Sequence, residues 1–253
     1  MLGSSRNGPV DRYKASSYRA YNREMPEEHN RVLTDHSADL LFCPTQAAVD
    51  NLTKEGILKG VHLVGDTMYD AILKYSEIAK QRSDVLSELD LQPKGYLLAT
   101  VHRASNTDNP ENLRNIFFGL ASSEEQIVLP LHPRTRVAIE CAGINITKMP
   151  TIRVIPPQGY LNMLMLEQSA RLILTDSGGV QKEAYWMGVP CITLRKETEW
   201  VETVQAGWNL LVGTDHEKIV QAIKIDVSQL NKKTNLYGDG RAAEKCVRIL
   251  EGI

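Results

Sequence analysis

Cysteine is scarce. The 253 residues hold four, Cys43, Cys141, Cys191 and Cys246, with no Cys-x-x-Cys pair among them. That spacing argues against a disulfide framework or a structural zinc site and reads as reduced, packed thiols. Long apolar runs are missing too: residues 189–194 form one of the longest, far short of the roughly 20 that span a bilayer. No charged-then-apolar leader follows Met1, so the expectation is a cytoplasmic chain without a membrane partner. Neither sign of charge dominates. The 29 Lys+Arg are scattered among 31 Asp+Glu for a net charge of −2, which gives no reason to expect nucleic acid as a partner. Internal repeats and low-complexity tracts are absent.

What is present is alternation. Short β-rich runs at 39–43, 61–64, 96–101, 127–131, 152–155, 172–175, 189–193 and 210–212 are separated by amphipathic stretches. This is an α/β pattern, and the continuously apolar strands fit a sheet covered on both faces by helices. Helices are expected at 26–38, 45–55, 67–81, 110–121, 134–141, 161–168, 180–187, 198–206, 216–223 and 240–250. Thr45 ahead of Gln46, and Asn109 ahead of Pro110, supply caps. A loosely ordered start is expected over residues 3–13, and a polar stretch at 83–95 is the expected domain boundary. The organisation expected is residues 1–82, with two strands up to residue 72; a complete doubly wound domain over 83–235; and a terminal helix in 236–253 packing back toward the N-terminal part.

Three strands end in groups suited to phosphate. In residues 172–183, LILTDSGGVQKE, an apolar strand runs through Ser177, Gly178 and Gly179 into a helix start. Backbone N–H groups there can face an anion, and glycine admits phosphate without interference from a Cβ. Ser177 adds a hydroxyl, and Glu183, one turn on, can accept from a pair of sugar hydroxyls. The segment has neither Walker spacing nor the dinucleotide Gly-x-Gly-x-x-Gly. The bland alternative is a glycine turn used only for tight strand-to-helix packing. His102 and Arg103 follow the strand 96–101, and His132 and Arg134 follow 127–131. A guanidinium fork and an imidazole suit phosphate, although a lone histidine in such a place is as readily a surface residue. Glu27 and Arg31 lie four apart near the start of the first helix and share a face. They are either a helix-stabilising ion pair or a carboxylate held for proton transfer. Trp200 lines a sugar pocket or packs in the core.

Taken in order, RAYNREMPEEHNR (19–31), Thr34-Asp35-His36, Cys43-Pro44-Thr45, Val64-Gly65-Asp66, Thr100-Val101-His102-Arg103, Leu131-His132-Pro133-Arg134, Thr175-Asp176-Ser177-Gly178-Gly179 and RKETEW (195–200) resemble the non-hydrolysing UDP-N-acetylglucosamine 2-epimerases. The resemblance implies a GT-B fold, with the C-terminal Rossmann-like domain complete and the N-terminal one partial. It implies a homodimer acting on a UDP-N-acetylhexosamine without a cofactor. In that family UDP-GlcNAc and UDP-ManNAc interconvert by elimination and re-addition of UDP. The UDP-binding residues expected are His102, Arg103, His132, Ser177, Gly178, Gly179 and Glu183. His102 would also steady the departing UDP, Glu27 would act as an acid/base carboxylate, and Arg31 would orient it or the substrate. Two departures stand out. Ala15 occupies a position where a catalytic carboxylate is expected, and Ser105 replaces a frequent glutamate. The chain is also expected to lack much of the family's first domain. The alternatives are an epimerase for a 2,3-diacetamido UDP-sugar, or a UDP-sugar-binding module with impaired catalysis.

Overall fold

The computed structural model describes residues 13–15, 26–225 and 234–252, and divides the chain into two units. One runs to Asp70 and resumes at Asn235; the other is Ala71–Thr234.

In the first unit, β1 (Tyr13–Ala15), β2 (Leu40–Cys43) and β3 (Val61–Leu63) form a parallel sheet in that order. Among the described residues up to 72 there are therefore three strands rather than the expected two; β1 is too short to announce itself in the hydropathy pattern. Between them lie α1 (Pro26–Ser37) and α2 (Gln46–Lys54). The Thr45 cap forms as expected, its hydroxyl accepting from Ala48 N at 3.3 Å. Leu41, Cys43, Ala48 and Leu52 make a small core. The long α3 (Thr67–Arg82) begins in this unit. Asp70 on its first turn accepts from the backbone N–H of Ala242 at 3.1 Å and of Ala243 at 2.7 Å, capping the terminal helix α12 (Ala242–Glu251). Gly65 and Gly238 let the two segments meet. Their φ angles are +97° and +95°, and a Cβ on Gly65 would stand 2.9 Å from the Tyr237 carbonyl oxygen. The expected loose start at residues 3–12 lies outside the described residues.

The second unit carries the remaining strands: β4 (Leu97–Thr100), β5 (Ile127–Pro130), β6 (Ile152–Ile155), β7 (Leu172–Thr175), β8 (Cys191–Thr193) and β9 (Asn209–Leu211). All pairings are parallel, in the order β6-β5-β4-β7-β8-β9. This is the doubly wound arrangement, and its order reverses between β4 and β7. Side chains alternate between two cores, as strand geometry requires. Leu97, Ala99, Leu129, Leu172, Leu174 and Ile192 pack on one face with α6 (Pro110–Ala121), α7 (Pro133–Cys141) and α11 (His216–Ile223). Leu98, Val128, Ile173 and Cys191 pack on the other with α4 (Val85–Glu88), α8 (Tyr160–Ser169) and α9 (Gly178–Met187). Burial of Cys191 raises its thiol to about 12, consistent with an inert core residue.

The stretch 83–95 holds α4, and Val85 and Leu91 are buried in the second core. Two further short elements, α5 (Ala104–Thr107) and a 3-10 turn at Ile146–Lys148, were not expected. The helix expected at 198–206 is the shorter α10 (Val201–Gln205), so residues 195–200 form a loop after β8. Asn109 caps α6 as expected, its Oδ1 accepting from Glu111 N and Asn112 N at 3.0 and 3.1 Å.

Candidate functional site

Ligands of open parallel sheets bind where strand order reverses, beyond the carboxyl ends of the strands. Here those ends are Val101-His102-Arg103 after β4 and Asp176-Ser177 after β7. They are fastened by hydrogen bonds. Thr100 Oγ1 and Thr175 Oγ1 are 2.6 Å apart, and Ser177 N donates to Thr175 Oγ1 at 2.9 Å. The Asp176 carboxylate is fully buried and accepts from His102 N (3.1 Å), Arg103 N (3.0 Å) and Asn106 Nδ2 (3.0 Å). Asn106 Nδ2 also donates to the Leu194 carbonyl at 3.1 Å, so β8 is held to the same point. One carboxylate thus sets the backbone from which two basic side chains spring. The His102 imidazole stays 44% exposed, its Nδ1 3.9 Å from Asp176 Oδ1 and beyond hydrogen-bond range.

The glycine turn is tighter than expected. Helix α9 starts at Gly178, two residues before the predicted start at residue 180, so Gly178 and Gly179 form its first turn and Ser177 precedes it. First-turn N–H groups lack intrahelical partners and carry the positive end of the helix dipole. A Cβ on Gly178 would stand 3.2 Å from Trp200 Nε1 and 3.7 Å from Glu199 Oε2, whereas on Gly179 it would meet only Ser177 Oγ, at 3.8 Å. The loop 195–200 therefore closes against the turn at Gly178. Buried Arg195 grips buried Glu199 through two hydrogen bonds, Nη1 to Oε2 at 2.9 Å and Nη2 to Oε1 at 3.2 Å. Arg103 Nη2 lies 3.8 Å from the same Glu199 Oε1. Burial alone raises Glu199, but hydrogen bonding and charge from Arg195, with the charge of Arg103, win and hold it below the usual carboxylate value. Thr198 Oγ1 donates to Gln181 Oε1 at 2.6 Å, fixing the loop to α9. Lys182 Nζ sits 4.2 Å from the centre of the Trp200 ring and 5.2 Å from that of Trp186. Trp200, 5% exposed, is thus buried beside the turn.

The other expected residues are placed less simply. His132 precedes α7, and its Nδ1 accepts from Arg134 N at 3.2 Å, so that nitrogen serves as a helix cap. Its ring centre is 6.1 Å from that of His102, which brings the two histidines to one neighbourhood. Arg134 is held by Asp108 at 2.8 Å. Glu183, one turn into α9, is largely withdrawn from solvent; burial raises its carboxyl, partly offset by Lys182. It faces a second carboxyl, Glu167 of α8, which burial and then the charge of Glu183 push well above the usual value. The same two carboxylates, after burial, raise Tyr160 to about 12.

Glu27 and Arg31 belong to α1, in the other unit. The Glu27 side chain lies outside the described residues. Arg31 Nε donates to Glu28 Oε2 at 3.0 Å, an i to i+3 pair. Three residues that shape the site were given no role in the sequence reading: Asp176, Asn106 and Glu199. Asp176 and Glu199 stand inside motifs already singled out; for Asp176 the signal available was a charged residue at the end of an apolar strand. Asn106 carried none. Among the described residues, no cluster of three or more His, Cys, Asp or Glu is placed to hold a metal, and no helix is long and apolar enough to cross a membrane.

Known proteins resemble this chain in sequence and fold. The profile of the UDP-N-acetylglucosamine 2-epimerase family matches residues 17–251. A UDP-N-acetylglucosamine 2-epimerase homolog of Methanococcus maripaludis is 46% identical over 260 residues, covering 100% of this chain and 71% of the relative. The UDP-2,3-diacetamido-2,3-dideoxy-D-glucuronate 2-epimerase of Pseudomonas aeruginosa is 43% identical over 257 residues, covering 99% and 70%. The crystal structure of Methanocaldococcus jannaschii UDP-GlcNAc 2-epimerase in complex with UDP-GlcNAc and UDP superposes with a TM-score of 0.86 at 42% identity, covering 94% of this chain and 68% of that one. The expected α/β, GT-B fold class holds. A profile match over nearly the whole chain, supported by relatives at these identities, shows that the chain belongs to the UDP-N-acetylglucosamine 2-epimerase family.

Proposed function

We propose that the chain acts as a UDP-N-acetylglucosamine 2-epimerase, interconverting UDP-GlcNAc and UDP-ManNAc. The observation that carries this reading is the joining of two strand ends by Asp176, which sets His102 and Arg103 beside the glycine start of α9. In this role the first-turn N–H groups of α9 and the Arg103 guanidinium hold the diphosphate, and Ser177 adds a hydroxyl donor. The reaction removes the C2 proton, breaks the C1–O bond and expels UDP. UDP then adds back to the glycal as a proton arrives at C2 on the opposite face. Negative charge grows on the departing diphosphate, so groups fixed in advance around it lower the barrier. His102, exposed and beside Arg103, suits that charge when protonated. Glu27 is assigned the proton transfer at C2, with Arg31 orienting it or the substrate. Both assignments come from their positions in the family motif.

A second reading is epimerisation of a 2,3-diacetamido UDP-sugar. It is favoured by the Pseudomonas aeruginosa relative, whose identity of 43% equals that of the Methanocaldococcus jannaschii UDP-N-acetylglucosamine 2-epimerase. One experiment separates the readings. Protein is incubated with each sugar nucleotide in deuterium oxide and C2 is followed by NMR. Deuterium at C2 of UDP-GlcNAc with UDP-ManNAc appearing supports the first reading. Label only in the diacetamido sugar supports the second, and UDP binding without exchange at either overturns both in favour of a binding module.

A further inference from the structure

A carboxylate so close to an anion site needs a reason. Glu199 is buried, and its Oε2 lies 3.7 Å from where a Cβ of Gly178 would be, at the turn assigned above to the diphosphate. By charge alone it should repel that ligand. Its surroundings show what it does instead. Arg195, itself buried, takes both oxygens in a forked pair, leaving the carboxylate with one fixed orientation. The loop carrying it is pinned from three sides: Thr198 Oγ1 to Gln181 Oε1 at 2.6 Å, Trp200 N to Thr198 Oγ1 at 3.1 Å, and Thr203 Oγ1 to the Trp200 carbonyl at 2.7 Å. A rigid anion results, and the next cation is Arg103, with Nη2 at 3.8 Å. The Arg103 side chain is 27% exposed, and its backbone N–H is already fixed by Asp176.

We propose that Glu199 is a positioning residue: anchored by Arg195, it holds the Arg103 guanidinium at the mouth of the glycine turn, in place for the diphosphate before ligand arrives. The proposal rests on the reading of Arg103 as a phosphate ligand. An unanchored arginine loses rotamer freedom on binding, and a pre-placed one does not. The separation of 3.8 Å is longer than a hydrogen bond, so the Glu199 charge restrains the swing of Arg103 without itself taking up its donors.

The test is a double-mutant cycle on UDP affinity, by titration calorimetry of the full chain, with Glu199→Gln, Arg103→Ala and the pair; thermal melts report folding separately. Arg103→Ala alone should weaken UDP about tenfold or more, as expected for a lost charge-assisted bond. Glu199→Gln alone should weaken it about fivefold, although it removes a repelling charge, and should add nothing in the Arg103→Ala background. Tighter binding by Glu199→Gln, no change, or an equal loss in both backgrounds overturns the positioning role. An Arg103→Ala protein that binds UDP normally instead overturns the phosphate reading of Arg103. Should Glu199→Gln not fold, Glu199→Asp keeps the charge and draws it back by one carbon. It should show the same coupling to Arg103, and additivity there overturns the proposal.

Discussion

The Asp176 carboxylate accepts the backbone N–H of Arg103 at 3.0 Å across the point where strand order reverses. With His102 N and Asn106 Nδ2 on the same carboxylate, three N–H donors depend on one buried side chain. Asp176→Asn leaves a single oxygen to accept and turns an amide N–H toward donors. The expected loss is about 2–3 kcal/mol of stability, since unsatisfied buried donors are costly. UDP affinity should fall with it, because both basic residues lose their backbone anchor. Urea denaturation and UDP titration measure the two losses.

Gly178 and Gly179 should respond differently to alanine. At Gly178 the new Cβ meets Trp200 and Glu199, both buried and held by Lys182 and Arg195. Neither yields easily, so Gly178→Ala should cost about 1 kcal/mol despite better helix propensity, in the range for overpacking. At Gly179 the Cβ meets only Ser177 Oγ at 3.8 Å. Gly179→Ala should match or exceed the parent by up to about 0.5–1 kcal/mol. A loss of UDP affinity in that stable variant would then come from the methyl group occupying the approach of the phosphate. Thermal melts with and without UDP make the comparison.

Much of the second unit was legible in the sequence because its strands are continuous apolar runs and its helices carry local caps. Leu97 to Ala99 and Leu172 to Leu174 could hardly be anything but buried strand. The strand-end motifs at His102 and Ser177 were legible for the same reason: an abrupt change from apolar to polar at a strand terminus. Three-dimensional pairing was not. Nothing local tells that Asp176 reaches Arg103, or that Arg31 meets Glu28. The helix expected at 198–206 begins late because Thr198 and Glu199 spend their side chains on Gln181 and Arg195, a tertiary demand that overrides propensity.

The facing carboxyls Glu167 and Glu183 give a pH prediction. Glu167 is 2% exposed and its Oε2 has no hydrogen-bond partner among the described residues. Both carboxyls are raised above the usual value, so the folded state binds more protons than the unfolded chain in the window between that value and the raised one. Stability should therefore fall as pH rises through this window and be highest, for these groups, below it. Glu167→Gln removes one charge from the pair, so it should flatten that fall and raise the melting temperature at neutral pH. Melts from pH 4 to 8 on both proteins check the slope; an unchanged slope in the variant contradicts the assignment.

In the first unit, Asp70 and Gly65 hold the terminal segment. Asp70→Ala frees two N–H groups at the start of α12 and should cost about 1–2 kcal/mol, as helix caps do. Gly65→Ala should cost at least as much. Its φ of +97° strains an alanine, and the new Cβ would lie 2.9 Å from a backbone oxygen. Hydrogen exchange at Ala242 and Ala243 should quicken in both variants.

The central claim is that a diphosphate sits where the strand order reverses, on the first turn of α9 and beside Arg103. A crystal structure of the protein with UDP tests it most directly. The expected result is diphosphate oxygens at about 3 Å from the N–H groups at the start of α9 and from the Arg103 guanidinium. UDP bound elsewhere on the unit, for instance in the polar hollow lined by Lys196, Thr214 and Lys218, with the turn at Gly178 unoccupied, would contradict it.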